Sequence, residues 1–311
     1  YTKGSWVLHM LRSSLGTELF RQVVKTYLER HRHGNVVTEN LRAVIEELSG
    51  KSYDRFFDQY VYHAHHPELK VDYSWDAKTK LAKISVKQEQ KVDENIMLFH
   101  LKLPVAFKVD KKTILRSVEI SKVREDYYFA LPAVPEIVRV DPDLTLLAKI
   151  TFAPPTTMLH AQLSNMEDVV GRLLSIERLA KKKDVDTVEN LKKALNEDPF
   201  YGVRIAASKA LREIATEPAF EALIKAKGQD DARVRRQVIG DVGSFYKDEA
   251  LAFLKKVLAG EKNPSVRSAV INGLAGHHDA VTAAIINQAL NSKSFRHQLA
   301  FAAVSTIRKQ D

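Results

Sequence analysis

A short pattern that recurs in the C-terminal half of the sequence decides the fold of that half. It reads DPFYGVR at 198–204, DDARVR at 230–235 and NPSVR at 263–267, and in each copy an arginine follows a valine. Arginines of this series are spaced by 29 to 32 residues: Arg172, Arg204, Arg235, Arg267 and Arg296. Aspartate or asparagine can cap a helix and proline fits its first turn, so each copy predicts a helix start. A helix pair of about thirty residues buries its apolar face only in a stack, and the repeat therefore predicts an all-α solenoid over 154–311.

The repeated arginines have two interpretations. The first is structural: each guanidinium bonds the carbonyls or acidic helix caps of the neighbouring repeat and ties the stack together. The second is a ladder of cations that binds an acidic ligand. Asp198, Asp231 and Asp248 lie close to the arginines in sequence and can neutralise them, which favours the structural interpretation.

Residues 67–153 have the two-residue hydrophobic period that is typical of strands. The alternation is clear in Val71–Trp75 and Leu81–Val86, and turn-forming residues separate these from later apolar segments. The further strands are predicted at 101–109, 115–123, 127–131, 137–140 and 146–152. Seven or so short strands without intervening helices predict an antiparallel β-sandwich. The proline-rich stretch Pro154–Thr157 then predicts a rigid linker.

Residues 1–66 have helical periodicity. Four helices are predicted, with apolar stripes in which residues recur three and four positions apart. Gly16 and Gly50 supply C-terminal stops, because glycine adopts the left-handed conformation that commonly ends a helix. Thr38 is predicted to cap the third helix, and the aromatic-rich segment 53–62 to form the fourth.

Composition and charge exclude several classes of function. The 311 residues include no cysteine, which removes disulfides, thiolate zinc sites and cysteine nucleophiles. The net charge of +9 is spread as +2, +2 and +5 over 1–66, 67–153 and 154–311. A nucleic-acid partner needs a focused basic stripe, so none is predicted. No apolar run approaches the roughly 18 residues that span a bilayer, so no membrane partner is predicted either. The first residue is Tyr1 rather than Met, and we expect a cut or processed chain.

A search for motifs that carry chemistry is mostly negative. The sequence contains no HExxH, no glycine-rich phosphate loop and no GxSxG elbow. The histidine pair His31 and His33 suits a helix end, where cations complement the helix dipole. The denser group His63, His65 and His66 lies at a helix-to-strand junction without a carboxylate at ligand spacing, and we interpret it as a solvated connector. We therefore predict neither a metal site nor a cofactor site within this chain.

One segment carries a specific resemblance. The sequence Tyr1-Thr2-Lys3-Gly4, with the leucines that follow it and Gly16, resembles the Y-x-K-G-x-x-x-L…LG segment of the aminopeptidase-N type of zinc peptidases. The agreement continues in order along the chain through Phe20, Tyr27, Thr38, Ser49-Gly50, Phe56-Phe57, Pro67–Val71 and Gln88–Gln90. The similarity covers roughly residues 1–153, and the solenoid is similar to the HEAT-like helical domain at the C-terminus of these peptidases.

This resemblance implies a multidomain α+β fold. Residues 1–66 would be the helical C-terminal portion of a thermolysin-like catalytic domain, 67–153 a β-sandwich linking domain, and 154–311 a HEAT-like α-solenoid cap over the active site. In the family, the tyrosine of Y-x-K-G donates its hydroxyl to the tetrahedral intermediate that forms when a zinc-bound water attacks the peptide carbonyl. Tyr1 occupies that position and is the predicted catalytic residue, whereas Lys3 and Gly4 complete the motif without a separate catalytic role.

The sequence also departs from the family pattern. The zinc ligands, the catalytic glutamate and the motif that recognises a free amino terminus all precede this tyrosine in the family, and none is present here. The resemblance therefore implies a zinc-dependent aminopeptidase that removes N-terminal residues from peptides, with zinc, peptide substrates and the N-terminal and catalytic domains as partners of the parent protein. We predict that this fragment binds no zinc and is inactive alone.

Two alternatives remain open at this stage. One is a non-catalytic relative that acts as a HEAT-repeat scaffold for protein partners. The other is a free-standing basic solenoid that binds an acidic partner, which leaves residues 1–153 unexplained.

Overall fold

The computed structural model describes residues 1–226 and 228–310. The chain divides into two compact units, with the boundary between Pro155 and Thr156. This boundary falls within the stretch 154–157 that the sequence predicts as a linker. The linker is shorter than expected, because a helix already begins at Thr156. The further division of the first unit at residues 66 and 67 stays a prediction.

The first unit begins with helices. These are α1 (Thr2–Leu15), α2 (Thr17–Arg30), α3 (Thr38–Ser49) and α4 (Asp54–Phe57), which continues into a π-helical turn at Asp58–Tyr62.

Glycines mark two of the predicted helix ends. Gly16 (φ 81°) separates α1 from α2, and Gly50 (φ 67°) ends α3 in the left-handed conformation. The predicted cap at Thr38 is wrong, because Thr38 is already the first residue of α3. The Asn40 side chain instead accepts a hydrogen bond from the backbone N–H of Val37 at 2.8 Å, so the cap comes from within the first turn.

Seven strands follow the helices. They are β1 (Glu68–Asp76), β2 (Leu81–Gln88), β3 (Leu101–Val109), β4 (Lys112–Ile120), β5 (Arg124–Ala130), β6 (Ile137–Val140) and β7 (Lys149–Phe152). They form a four-stranded sheet in the order β5-β2-β1-β7 and a three-stranded sheet in the order β4-β3-β6. Their positions agree with the sequence periodicity to within a few residues.

The strand pairing is antiparallel with one exception. β7 runs parallel to β1, with Glu68 opposite Lys149 and Val71 opposite Phe152. The expectation of a wholly antiparallel arrangement is therefore wrong for this pair. A hairpin forces neighbouring strands to be antiparallel, whereas β7 reaches its sheet by a connection from β6 in the other sheet and is free to enter in either direction.

Each sheet buries one set of alternating side chains. Ile84 and Val86 in the four-stranded sheet and Leu103 and Phe107 in the three-stranded sheet have no exposed surface. The ring centroids of Phe107 and Phe129, one from each sheet, lie 5.4 Å apart. The two sheets therefore contact each other through at least this pair of aromatic rings.

The second unit is helical. Its helices are α5 (Thr156–Leu163), α6 (Val169–Leu179), α7 (Val185–Glu197), α8 (Tyr201–Ile214), α9 (Glu217–Lys225), α10 (Ala232–Val242), α11 (Asp248–Gly260), α12 (Pro264–Gly273), α13 (Ala280–Leu290) and α14 (Gln298–Gln310). One continuous apolar core runs from Leu159 to Leu274, and a separate smaller cluster around Ile286 and Leu299 joins the last helices. The helical repeat that the sequence predicts is confirmed. Among the described residues, no helix combines the length and the apolar character that a membrane crossing requires.

Candidate functional site

The predicted catalytic residue, Tyr1, lies immediately before α1 with a fully exposed side chain. Its backbone carbonyl accepts a hydrogen bond from the N–H of Ser5 at 3.0 Å, so the residue is tied to the first helical turn. No described residue forms a hydrogen bond with its hydroxyl. The phenol is thus free to donate a hydrogen bond to a group that approaches the start of α1.

Contacts further along α1 fix the direction of this helix. Met10 and Leu11 are buried, and the Met10 sulfur accepts a hydrogen bond from the N–H of Leu147 at 3.3 Å. In the residue before Met10, Nε2 of His9 lies 3.1 Å from the carbonyl oxygen of Leu144 and donates to it. The connection between β6 and β7 therefore holds α1 in place.

That connection is itself shaped by a buried carboxylate. Asp141 has only 2 % of its surface exposed and a positive φ of 45°. Its oxygens accept hydrogen bonds from the backbone N–H and the hydroxyl of Thr145, both at 2.8 Å, and from the N–H of Leu146 at 3.0 Å. Because three donors satisfy one carboxylate, this turn is well determined, and it supports the position of the helix that carries Tyr1.

The histidine group at the end of the helical region does not form a metal centre. Nδ1 of His63 lies 3.1 Å from a carboxylate oxygen of Asp58, and the rings of His65 and His66 have centroids 6.2 Å apart. Across the part of the chain that the structure describes, no three histidine, aspartate or glutamate side chains are grouped so that they could hold a metal ion. The residues present here therefore do not fit a zinc site.

Three buried glutamines have a positioning role that sequence reasoning missed. The Gln88 amide donates to the carbonyl of Phe99 at 2.8 Å and accepts from its N–H at 3.0 Å. The Gln90 amide donates to Gln88 at 2.8 Å, and Gln59 exchanges two hydrogen bonds with the backbone of His100. These amides fasten the segment before β3 to both the helices and the first sheet. The spacing Gln88-x-Gln90 was visible in the sequence, but nothing in it indicated Gln59.

In the second unit, three of the repeated arginines tie neighbouring repeats together. Arg172 on α6 is 1 % exposed and lies 2.8 Å from Asp198, which is equally buried, through Nε and Oδ2. Arg204 on α8 donates to the Gln229 side chain at 3.0 Å. The structural interpretation of the arginine series is therefore confirmed for these two positions.

Arg235 on α10 likewise contacts the next repeat, and it bonds both a carboxylate and backbone carbonyls. Its Nε lies 2.9 Å from Glu261, and its Nη1 donates to the carbonyls of Gln229 and Asp230 at 3.0 and 2.7 Å. Side-chain and backbone acceptors together satisfy this guanidinium, as expected for a planar cation with five donors.

The series changes at its last two members. Arg267 on α12 takes part in none of the ion pairs found among the described residues, and its Nε is buried without a hydrogen-bond partner. Arg296 is exposed, has a positive φ of 52° and precedes α14 in a short 3₁₀ turn. The expectation that Arg296 repeats the earlier helical positions is wrong, because the chain does not form a regular helix there.

A groove of about 1270 Å³ lies along the second unit. Residues of α8, α10, α12 and α14 line it, and the described ones include the cations Arg233, Arg236 and Lys309 but no carboxylate. Arg233 is paired with Asp231 at 2.7 Å and stacks 3.4 Å above the Tyr201 ring. The groove is therefore basic, and the ion pair with Asp231 neutralises one of its three cations.

Each unit contains a segment that matches a known protein family. The Peptidase family M1 domain matches residues 1–60, which cover α1 to α4 and begin at Tyr1. HEAT repeats match residues 156–239 in the second unit.

Individual relatives agree with these matches. Aminopeptidase 2 of Candida albicans is 24% identical over 327 aligned residues, which include 91% of this chain and 34% of that protein. Aminopeptidase N of Lactococcus lactis is 36% identical over 72 residues, which are 23% of this chain and 8% of that protein. The chain thus spans about a third of the length of the first relative and less of the second.

A solved structure resembles the whole chain. The crystal structure of Legionella pneumophila aminopeptidase A in complex with aspartic acid superposes with a TM-score of 0.59 at 12% identity, and the match covers 99% of this chain and 47% of that one. At this identity the likeness concerns the fold alone. Together, the family matches, the relatives and this fold show that the chain is similar to the C-terminal part of an aminopeptidase of peptidase family M1.

Proposed function

We propose that this chain provides the C-terminal part of a zinc-dependent aminopeptidase that removes N-terminal residues from peptides. The observation that carries the proposal is the Peptidase family M1 match, which begins at Tyr1 and covers all four helices of the first unit. The relatives cited above are named aminopeptidases. In this proposal 1–66 completes a thermolysin-like catalytic domain, 67–153 forms a linking β-sandwich, and the helical unit covers the active site.

Tyr1 is the residue of this chain that would act on the substrate. A phenol is a hydrogen-bond donor at neutral pH, and it can stabilise the carbonyl oxygen that becomes negatively charged when the peptide bond is attacked. Two features support this role: the hydroxyl has no partner among the described residues, and the helix behind it is anchored by Met10 and His9. The backbone that carries the phenol is thereby held in place, while the hydroxyl stays free to donate to the substrate.

Zinc is assigned to the parent protein and not to this chain. The family chemistry requires a metal, whereas the described histidines and carboxylates do not group into a site for one. The ligands would therefore come from outside residues 1–311. It follows that the chain contributes a hydrogen-bond donor and a cover to the active site, but neither the metal nor the general base.

The experiment compares the 311-residue chain with the longest polypeptide that its gene encodes. Both are assayed with an amino-acid anilide in the presence of zinc. We expect turnover only from the longer polypeptide, and we expect a chelator to abolish it. Turnover by the 311-residue chain clearly above the blank would contradict the assignment of metal and base to other residues. A longer polypeptide that binds no zinc and hydrolyses no anilide would contradict the aminopeptidase itself.

The scaffold alternative has no specific observation in its favour. It rests on the helical repeat alone, and the same repeat is expected in the enzyme. We therefore do not propose it.

A further inference from the structure

The arginine series follows a spacing rule that predicts where each acceptor lies. Arg172 bonds Asp198, Arg204 bonds Gln229 and Arg235 bonds Glu261, so the acceptor follows its arginine by 25 or 26 residues. For Arg267 the same offset falls on Ser292 and Lys293.

In the repeat of Arg267, a cation, Lys293, therefore occupies the sequence position at which Asp198 and Glu261 act as acceptors in earlier repeats. Lys293 cannot accept a hydrogen bond from a guanidinium, and the two positive charges repel each other. Lys262, in the connection before α12, adds a third positive charge. Within the described part of the chain, no carboxylate pairs with Lys262, Arg267 or Lys293, although the equivalent arginines one and three repeats earlier each have one.

These three cations line a single cavity of about 460 Å³. No aspartate or glutamate is among the described residues that line it. The rest of the lining is mixed: it includes the apolar side chains of Leu258, Ile271, Ile285 and Leu299 and the neutral polar ones of Gln288, Ser292 and Ser294. Among the described residues, the cavity thus places three positive charges without a carboxylate partner beside several apolar side chains.

We propose that this cavity binds a carboxylate that completes the arginine series from outside the chain. The preceding repeat shows the expected geometry: there the Glu261 carboxylate lies 2.9 Å from Nε of Arg235. The ligand carboxylate would bind Arg267 in the same way. A carboxylate matches the planar fork of arginine, and bonds to charged groups are the stronger class of hydrogen bond. The apolar lining selects a ligand whose carboxylate is attached to hydrocarbon. The ligand is either a free organic carboxylate or the acidic side chain of a peptide.

The proposal does not depend on peptide hydrolysis. It concerns α11 to α14, whereas the proposed catalytic contribution comes from Tyr1. The proposal also differs from the interpretation of the arginine series as a ladder of cations for an acidic ligand. Here the acidic ligand binds at the repeat of Arg267 and not along the whole series.

The test is a calorimetric titration of the 311-residue chain with four probes. These are glutarate, the blocked peptide acetyl-Leu-Glu-Leu-amide, the same peptide with glutamine in place of glutamate, and inorganic phosphate. We expect glutarate or the glutamate peptide to bind, and we expect the R267Q variant to weaken this binding about tenfold or more. The matched control R308Q, which removes an exposed arginine on α14, should leave binding unchanged.

The probes also separate the two sources of the carboxylate. Tighter binding of the glutamate peptide than of glutarate assigns a peptide ligand, and equal or weaker binding assigns a free carboxylate. The proposal is overturned if neither glutarate nor the glutamate peptide binds, if the glutamate peptide binds but the glutamine peptide binds equally well, or if phosphate is the only probe that binds.

A second variant guards against loss of folding in R267Q. K293E places an acceptor at the offset used by the earlier repeats, and it should raise the melting temperature by about 2–4 °C while abolishing binding of the carboxylate. Retained binding in K293E, or a melting temperature below that of the unaltered chain, would overturn the proposed arrangement.

Discussion

The helical unit contains two regions that follow the same sequence repeat but differ in how the repeats are joined. The arginines on α6, α8 and α10 are paired with acceptors in the next repeat, and one apolar core is continuous through this region. From α12 onward, Arg267 has no such acceptor and the last helices rely on a smaller separate cluster. The difference teaches that one residue per repeat, 25 or 26 positions after the arginine, decides whether the arginine finds its hydrogen-bond acceptor within the chain.

The largest expected effect on stability comes from breaking one of the buried arginine–acceptor pairs between repeats. R172M removes one member of an ion pair in which both side chains are 1 % exposed, and it leaves the Asp198 charge buried. We expect the free energy of unfolding to fall by about 3–5 kcal/mol, because an uncompensated buried charge is costly. Urea denaturation followed by circular dichroism measures the change.

The matched control for this prediction is R267M, the same substitution in the open region. Arg267 leaves no carboxylate behind, so we expect a change of less than about 1 kcal/mol. Equal losses in R172M and R267M would show that the two regions do not differ in the way described.

A medium effect is expected at a close approach between helices of adjacent repeats. Gly243 follows α10, and a Cβ atom placed on it would lie 2.7 Å from Cα of Gly273, which ends α12. G243A should therefore lower the free energy of unfolding by about 1–3 kcal/mol, because backbone must move.

The control for this close approach is G240A, one turn earlier on α10, where a Cβ atom meets nothing within 4 Å. We expect G240A to be neutral or to stabilise the chain by up to about 1 kcal/mol, since alanine favours a helix over glycine. A G243A variant as stable as G240A would contradict the packing of these two helices.

The smallest effect is a pH dependence at the acceptor of Arg235. Partial burial acts to raise the pKa of Glu261, but hydrogen bonds from Arg235 and from the backbone hold this pKa below its ordinary value of 4.5. A depressed carboxyl pKa contributes stability that is present above pH 4.5 and is lost as the pH falls below it. The difference in melting temperature between the unaltered chain and E261Q should therefore shrink as the pH falls from 6 to 3. A difference that grows on acidification would have the wrong sign.

Much of the fold was predictable because it depends on local patterns. The arginine spacing predicts the repeat, the two-residue period predicts the strands, and Gly16 and Gly50 end helices as expected. These signals act over a few residues and do not need the tertiary structure.

The remaining features depend on which distant residues meet. The parallel entry of β7 beside β1 is decided by a connection between sheets, and no local pattern specifies its direction. The partners of the arginines became visible only when Asp198 and Glu261 were found at a common offset. Arg296 keeps the sequence spacing but falls in a 3₁₀ turn, so spacing alone overestimates the regularity of the last repeat.

For the candidate site, the family motif indicated Tyr1, while its surroundings had to come from the structure. Met10, which anchors α1, contacts Leu147, a residue more than 130 positions away in the sequence. Asp141 shapes the β6–β7 connection through hydrogen bonds that depend on its buried position. Sequence periodicity carries no information about such contacts.

The measurement that tests the central claim most directly is the steady-state kinetics of Y1F in the full-length gene product that contains this chain. The substitution removes only a hydroxyl, and Y128F, which alters an exposed tyrosine on β5, is the matched control. We expect kcat for an amino-acid anilide to fall by about 10²–10³ in Y1F, with KM nearly unchanged and bound zinc retained, because one oxyanion donor is lost. A Y1F enzyme whose kcat equals that of Y128F would contradict the catalytic role of Tyr1.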